Sequence, residues 1–200
     1  DVRDWRIDEV VKLIRGPKQT AVKLEILSAS ASDDEAGRII EITRDVVKLE
    51  DQAAKKKEIN ISRNGNSFNI GVIELPTFYM DFEAYKKNRF DYKSSSKDVR
   101  NLLRELSKND SDGIIIDLRG NGGGSLYEAY SLAKLFIGRG NVVQVMESNG
   151  SIQPLGHTMG RQNYSGPIAI LVDKLSASAS EILAGVIQDT ERGLIIGSQT

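Results

Sequence analysis

The sequence predicts a mixed α/β domain built in layers, and two observations carry this prediction. Continuous apolar runs at residues 113–118 and 167–173 are typical of strands that are buried on both faces of a sheet. Small or glycine-rich residues follow each run, and apolar residues at helical spacing come next. Strand, turn and helix in series are the repeating units of a layered α/β fold.

The first hundred residues contain shorter elements and most of the charge. A short helix is predicted at 7–14, because apolar residues recur there at i, i+3, i+4 and i+7 before a Gly-Pro pair. Four more polar strands are predicted next, at residues 22–26, 38–44, 57–63 and 67–75. A polar loop at 28–37 separates the first two strands, and a turn at Asn64-Gly65-Asn66 joins the last two in a hairpin.

The second hundred residues hold the apolar strands and most of the glycines. This composition indicates a buried sheet with tight turns at the ends of its strands. The predicted helices are one that starts at 94–97 and shows helical apolar spacing at 99–106, and two more at 126–136 and 177–188. The predicted strands are at 113–118, 142–146, 167–173 and 194–196.

The composition excludes several classes of chemistry. The 200 residues contain no cysteine and one histidine, His157, so a cysteine nucleophile, a disulfide framework, a cysteine zinc site and a histidine cluster are excluded. The net charge of -1 gives no electrostatic reason to expect nucleic acid or an anionic membrane surface as a partner. No apolar run approaches the ~20 residues of a membrane span. The chain begins at Asp1 without methionine, so we expect the native start to lie further upstream.

The segment Ser-Ala-Ser-Ala-Ser occurs twice, at 28–32 and at 176–180, so the pentapeptide alone predicts nothing. The first copy continues into acidic residues and indicates a flexible surface loop. The second copy lies between a buried strand and an apolar helix. There, free N–H groups and the helix macrodipole favour developing negative charge. Catalysis by one of these serines and plain helix N-capping both fit this pattern.

The segment Arg119-Gly120-Asn121-Gly122-Gly123-Gly124 directly follows the apolar run at 113–118. Consecutive glycines permit positive φ and can present backbone N–H groups to a cleft. Such a loop could cradle a phosphate, supply half of an oxyanion hole, or be only a tight turn. It matches neither a P-loop, which needs Gly-Lys-Ser/Thr where this chain has Gly124-Ser125-Leu126, nor the glycine spacing of a dinucleotide fingerprint.

Together these segments resemble the carboxyl-terminal processing peptidases, also called tail-specific proteases, a family with a Ser/Lys mechanism. The matching segments are residues 114–124, 172–182 and 193–197, and residues 2–11 and 14–18 resemble the C-terminal part of the family's PDZ domain. The resemblance implies three regions. These are the C-terminal part of a PDZ-like domain at 1–50, a connecting strand region at 51–66, and the N-terminal part of a ClpP/crotonase-like catalytic core at 67–200.

The resemblance also implies roles for individual residues. Ser178 is expected to be the nucleophile, and the N–H groups of Gly124 and Ala179 are expected to form the oxyanion hole. Gly123 would shape the turn. The two outer serines, Ser176 and Ser180, would be supporting caps.

The general base cannot be assigned to any residue of this chain. In the family the catalytic lysine lies in a Gly-Lys-Gly segment shortly after the strand that here ends at Gly197, so it is expected beyond Thr200. We therefore expect the 200 residues alone to be inactive. Lys174 is expected to be a solvated side chain, and His157 is expected to lie in a mobile loop. Asp189 lies eleven residues after Ser178 on the same helical face, and the resemblance makes it a possible supporting residue.

The function implied is that of a serine endopeptidase on protein substrates whose apolar C-terminal tail is captured by PDZ. No metal or cofactor is implied. The family places the intact protein in the periplasm or on the cell-envelope side. Two alternatives remain open at this point: a non-catalytic PDZ-type peptide-binding module, and an acyl-CoA-handling domain of crotonase-like fold.

Overall fold

The computed structural model describes residues 2, 4–28, 36–45 and 49–200. The chain divides between residues 48 and 49 into two compact units. Most of the loop predicted at 28–37, with most of the first Ser-Ala-Ser-Ala-Ser copy, lies outside the described residues. Within the described part of the chain, no helix combines the length and the apolar character needed to cross a membrane.

The described residues of the first unit form one helix and a two-stranded antiparallel sheet. Helix α1 (Ile7–Ile14) precedes strands β1 (Ala21–Ile26) and β2 (Arg38–Thr43), which pair in register from Ala21 with Thr43 to Ile26 with Arg38. The guanidinium of Arg44 donates to the carbonyl oxygens of Leu13, Ile14 and Ala21. Arg44 thereby fastens the end of α1 to the start of β1, which satisfies carbonyl groups that a helix end leaves free.

The second unit is built on a five-stranded mixed sheet. Its strands are β3 (Lys55–Arg63), β4 (Asn66–Glu74), β5 (Gly113–Asp117), β8 (Ile168–Val172) and β9 (Leu194–Gly197), in that spatial order. β3 and β4 form the predicted antiparallel hairpin, and the other pairs are parallel. β5 therefore lies in the middle of the sheet, where its apolar residues Ile114 and Ile116 are buried.

Four helices and a small separate sheet complete this unit. The helices are α2 (Phe82–Lys86), α3 (Ser95–Lys108), α4 (Leu126–Ala133) and α5 (Ala179–Asp189), and the antiparallel strands are β6 (Val143–Met146) and β7 (Ile152–Leu155). The buried core joins the sheet to α3, α4 and α5 through residues such as Leu103, Leu132, Ile170 and Leu183. This arrangement is the layered α/β fold that the sequence predicts.

A buried carboxylate connects the starts of α3 and α4. Glu128 in the first turn of α4 accepts the N–H of Ser96 at 2.6 Å and the hydroxyl of Ser95 at 3.0 Å. It supplies the anionic group that a helix N-terminus favours, while the N-cap Ser94 makes no side-chain cap bond. The start of α4, directly after the glycine loop, is therefore fixed to α3.

Two predicted helix boundaries are corrected by the structure. α5 begins at Ala179 and not at 177, because Ser178 has a positive φ that no α-helix contains. α4 ends at Ala133 and not at 136, since Leu135 and Phe136 donate their N–H groups to carbonyls only three residues back.

Candidate active site

The second Ser-Ala-Ser-Ala-Ser segment forms the turn between β8 and α5, and its three serines have different environments. Ser176 and Ser180 are buried, whereas Ser178 is exposed. The Ser176 hydroxyl donates to the carbonyl oxygen of Leu118, and the Ser180 hydroxyl donates to that of Asn121, each at 2.8 Å. The family resemblance predicts that the two buried serines are helix caps. In the structure they instead fasten the turn to the loop that follows β5.

Ser178 occupies the N-cap position of α5 in a strained backbone conformation. Its φ of 56° and ψ of -112° lie where residues other than glycine are rarely found. Such a conformation costs about 1–3 kcal/mol and persists only where the surroundings impose it. One constraint is the carboxylate of Glu181, which accepts the Ser178 N–H at 2.7 Å. Ser178 thus stands exposed at the positive end of a helix, as the serine of a nucleophile elbow does.

The glycine loop after β5 also has unusual backbone geometry. Gly123 and Gly124 have φ of 105° and 142°, and a Cβ on Gly124 would collide with the carbonyl oxygen of Phe78. The Gly123 carbonyl oxygen accepts the N–H of Phe78 and the hydroxyl of Thr77, each at 2.9 Å. Because C=O and N–H point in opposite directions across a trans peptide, the Gly124 N–H is turned away from residues 77 and 78.

The glycine loop and the serine turn meet at one edge of the sheet, because β5 and β8 are parallel neighbours. An ideal Cβ on Gly123 would lie 2.8 Å from the Cβ of Ser178 and 3.1 Å from the backbone nitrogen of Ala179. Gly123 therefore packs directly against the exposed serine. The N–H groups of Gly124 and Ala179 donate to no acceptor among the described residues. The structure thus brings together four of the five residues expected at the site: Gly123, Gly124, Ser178 and Ala179.

Asn121 is a residue of this site that the sequence reasoning missed. It is fully buried, its Nδ2 donates to the carbonyl oxygen of Leu75 at 2.7 Å, and its Oδ1 accepts the N–H of Gly123 at 2.9 Å. Its backbone oxygen accepts the N–H of Ala177 and the hydroxyl of Ser180. An amide side chain inside a glycine run was the available signal.

Thr77 and Glu181 were missed as well. Glu181 follows Ser178 by three residues, which is the spacing of a capping box and could have identified it. Its other carboxylate oxygen accepts the hydroxyl of Thr200 at 3.1 Å. Thr77 lies 101 positions from Ser178 in a segment without periodicity, so no local pattern points to it.

Two aspartates hold the loops in place electrostatically. Asp173 accepts the N–H of Gly120 at 3.0 Å and that of Leu175 at 3.0 Å, and these hydrogen bonds lower the pKa of its carboxyl. Asp117 accepts two hydrogen bonds from the guanidinium of Arg119, which lower the pKa of Asp117 in the same way. Both carboxylates are therefore ionised at neutral pH and stabilise the turns on either side of the site.

The other candidate residues, Lys174, His157 and Asp189, are exposed to solvent, and Asp189 is also far from Ser178. Lys174 is exposed on the turn, and His157 is exposed and within 2.7 Å of the Asn141 Oδ1 through its Nδ1. Asp189 is exposed at the last residue of α5, about 16 Å along the helix from Ser178 at 1.5 Å per residue. The structure therefore does not bring Asp189 to Ser178. Among the described residues, no three His, Asp or Glu side chains form a group that could hold a metal ion.

Comparison with known protein families gives a match to peptidase family S41 over residues 69–200. The tail-specific protease of Haemophilus influenzae is 40% identical over 200 residues, which are 100% of this chain and 26% of that protein. A carboxyl-terminal-processing protease of Synechocystis is 34% identical over 200 residues, which are 100% of this chain and 42% of that protein. The chain thus spans about a quarter to two fifths of the length of these relatives.

Solved structures show the same fold. The chain superposes on a photosystem II D1 C-terminal processing protease with a TM-score of 0.70, at 24% identity, over 90% of this chain and 44% of that chain. It superposes on mature CPAF with a TM-score of 0.56, at 16% identity, over 73% of this chain and 40% of that chain. The predicted layered α/β core is therefore confirmed. By the family match and these identities, the chain belongs to peptidase family S41, as its resemblance to the carboxyl-terminal processing peptidases predicts.

Proposed function

We propose that the chain carries the nucleophile half of a serine endopeptidase, with Ser178 as the nucleophile. One observation carries this proposal: of the three serines in the turn, only Ser178 is exposed, and it is held in a strained conformation against Gly123. A cost of about 1–3 kcal/mol is hard to explain for a serine that only begins a helix. Membership of peptidase family S41 supports the same reaction class.

The oxyanion hole in this proposal consists of the N–H groups of Gly124 and Ala179. Both N–H groups lack an acceptor among the described residues, and the orientation of the Gly124 N–H is set by the bonds on the Gly123 carbonyl. Ser178 Oγ attacks the peptide carbonyl carbon, its proton passes to a base, and the carbonyl oxygen becomes an oxyanion between the two N–H groups. The base then protonates the leaving amine, and water hydrolyses the acyl-enzyme.

The base in this proposal is a lysine that does not belong to the 200 residues. A lysine that accepts a proton at neutral pH needs burial or a nearby cation to keep it uncharged. Lys174, the lysine closest to Ser178 in sequence, is exposed. Asp189 is proposed to be a supporting residue at the end of α5. It does not contact the reacting atoms in this proposal, because the length of the helix separates it from Ser178.

The substrates in this proposal are proteins with an apolar C-terminal tail. The sequence of the first unit supports a PDZ-like contribution from residues 1–50, followed by a connecting region at 51–66 and the catalytic core at 67–200. A relative is named a tail-specific protease, which supports the same substrate class. We place the activity in the periplasm or on the cell-envelope side, by the family alone.

The test compares the 200-residue chain with a chain extended past Thr200 to the length of its relatives. We expect the extended chain to cleave a destabilised protein with an apolar tail, and the 200-residue chain to be inactive. Ser178→Ala in the extended chain should abolish cleavage, while the control Ser107→Ala, at an exposed serine of α3 outside the site, should retain it. Activity that survives Ser178→Ala would remove the nucleophile assignment, and equal cleavage of tailed and untailed substrates would remove the proposed tail recognition. Binding of the tail without cleavage would instead support a peptide-binding module.

A further inference from the structure

The amide of Asn121 lies at the point where the glycine loop, the serine turn and the end of β4 meet. Its side chain contacts the glycine loop and the segment after β4, and its backbone oxygen contacts the serine turn. We propose that Asn121 is a positioning residue that sets the oxyanion N–H of Gly124 relative to Ser178. This inference rests on the proposed function.

On the glycine side, Asn121 determines which N–H is free. Its Oδ1 accepts the N–H of Gly123, a buried residue, so that N–H is unavailable to a substrate. The next N–H along the chain, that of Gly124, is left unpaired. A buried N–H without a partner costs about 1–3 kcal/mol, so loss of Oδ1 would force the loop to rearrange. Asn121 therefore fixes the loop in the conformation that offers Gly124.

The same side chain also binds the glycine loop to the segment directly after β4. Its Nδ2 donates to the carbonyl oxygen of Leu75, directly after β4. Two and three residues further on, Thr77 and Phe78 donate hydrogen bonds to the Gly123 carbonyl. Both ends of the Asn121–Gly123 segment are thus bound to one stretch of chain, which restricts rotation of the Gly123–Gly124 peptide.

On the serine side, Asn121 binds both flanks of the nucleophile. Its backbone oxygen accepts the N–H of Ala177 at 3.1 Å and the hydroxyl of Ser180 at 2.8 Å. These residues precede and follow Ser178 in the turn. Since Asn121 is fully buried, it cannot touch a substrate, and its effect must pass through the residues that it orients.

The expected kinetic signature is a loss of kcat with little change in KM. A misplaced oxyanion donor affects the transition state more than the bound substrate, and loss of one donor costs about 10²–10³ in kcat. For Asn121→Leu, which keeps the size but loses both side-chain bonds, we expect kcat to fall by about this factor and KM to stay within about twofold.

Asn121→Asp separates positioning from mere packing. The aspartate keeps an acceptor for the Gly123 N–H, but only its protonated form can donate to the Leu75 carbonyl. Position 121 is fully buried, and burial raises the pKa of a carboxyl, so the protonated fraction of the aspartate should grow as the pH falls from 8 to 6. We therefore expect the kcat of Asn121→Asp, divided by that of the wild type, to rise over this range. Asp117, Arg119 and Asp173 on the adjoining turns are common to both proteins, and so is the base of the extended chain, so the pH dependence that the two proteins share cancels in the ratio.

The experiment uses the extended chain and peptide substrate, with Asn163→Leu and Asn163→Asp as controls. The Asn163 side chain is exposed and makes no hydrogen bond among the described residues, so both controls should behave as wild type. Ser180→Ala provides a variant that keeps the Asn121 side chain and removes one link, and its kcat should fall by about threefold to tenfold. Folding of each variant is checked by its thermal transition.

The outcomes distinguish this inference from the proposed function. If the wild type neither cleaves peptide nor reacts with a fluorophosphonate at Ser178, the proposed function and the positioning role of Asn121 are both rejected. If the wild type is active and folded Asn121→Leu retains its kcat, only the positioning role falls. A flat pH ratio for folded Asn121→Asp would overturn it in the same way. A lowered kcat at constant KM, with a ratio that rises towards acid pH, supports it.

Discussion

Gly123 and Ser178 share one small volume, since a Cβ on Gly123 would lie 2.8 Å from the Cβ of Ser178. Real Cβ atoms do not approach so closely, so a side chain on the loop would displace the serine. The two loops of the candidate active site therefore cannot vary independently.

Substitution of the loop glycines should separate those that serve the site from one that does not. Gly123→Ala and Gly124→Ala each introduce an atomic overlap at a positive φ, so we expect at least a hundredfold lower kcat and about 1–3 kcal/mol lower stability. Gly122→Ala is the matched control, because its Cβ would meet open space. Peptide cleavage by the extended chain and urea unfolding provide the two measurements. Equal effects of all three substitutions would contradict the geometry.

Replacement of each of the three serines of the turn by alanine should change the free energy of unfolding by a different amount. Ser176→Ala leaves the Asp173 N–H without its acceptor and Ser180→Ala removes a buried bond, so each should lower the free energy of unfolding by about 1–2 kcal/mol. Ser178→Ala should leave stability within about 0.5 kcal/mol, because the residue is exposed. Chemical denaturation of the 200-residue chain tests this ranking without any activity assay. A reversed ranking would show that the buried hydroxyls are not structural.

Thr77→Val tests the orientation of the Gly123–Gly124 peptide. Valine keeps the shape but cannot donate to the Gly123 carbonyl, which retains only the Phe78 N–H. A net loss of about 1 kcal/mol corresponds to a kcat lower by about threefold to tenfold in the extended chain. Thr77→Ser keeps the hydroxyl and should restore most of the rate. If valine and serine behave alike, the hydroxyl is not needed.

The stability of the site should depend on pH through Asp173. Its pKa is lowered in the folded state by hydrogen bonds from Gly120 and Leu175, so its stabilising contribution is present above the unfolded pKa of about 4 and is lost as the pH falls through the folded value. Asp173→Asn should therefore be less stable than wild type at pH 7, and the difference should shrink by pH 3. Urea unfolding at both pH values measures it, with Asp51→Asn, at an exposed residue outside the site, as the control substitution. A difference that stays constant with pH would rule out this role.

Much of the fold could be predicted because burial on both faces leaves a clear pattern. The strands β5 and β8 and the hairpin of β3 with β4 lie within two residues of their predicted bounds. The short elements α2 and β7 were not predicted. α2 has only five residues, and β7 contains a proline and pairs only with β6 outside the main sheet. Neither is long enough for hydrophobic periodicity to appear.

The residues of the candidate site also differ in how well the sequence predicts them. The residues that the structure brings together, Ser178 and its glycine loop, lie in local motifs at strand ends, where composition alone signals them. The supporting contacts of Thr77 and Asn121 depend on which strands become neighbours, and a single sequence does not contain that information. The distinct roles of Ser176 and Ser180 also follow from the pairing of β5 with β8.

The backbone conformation of Ser178 has an evolutionary consequence. At this position glycine would fold with less strain, so random substitution in a chain released from catalysis would drift towards it. A serine that persists there records selection for its hydroxyl against the preference of the fold. The residue type at this one position would therefore indicate which members of a set of related chains have kept their chemistry and which retain only the architecture.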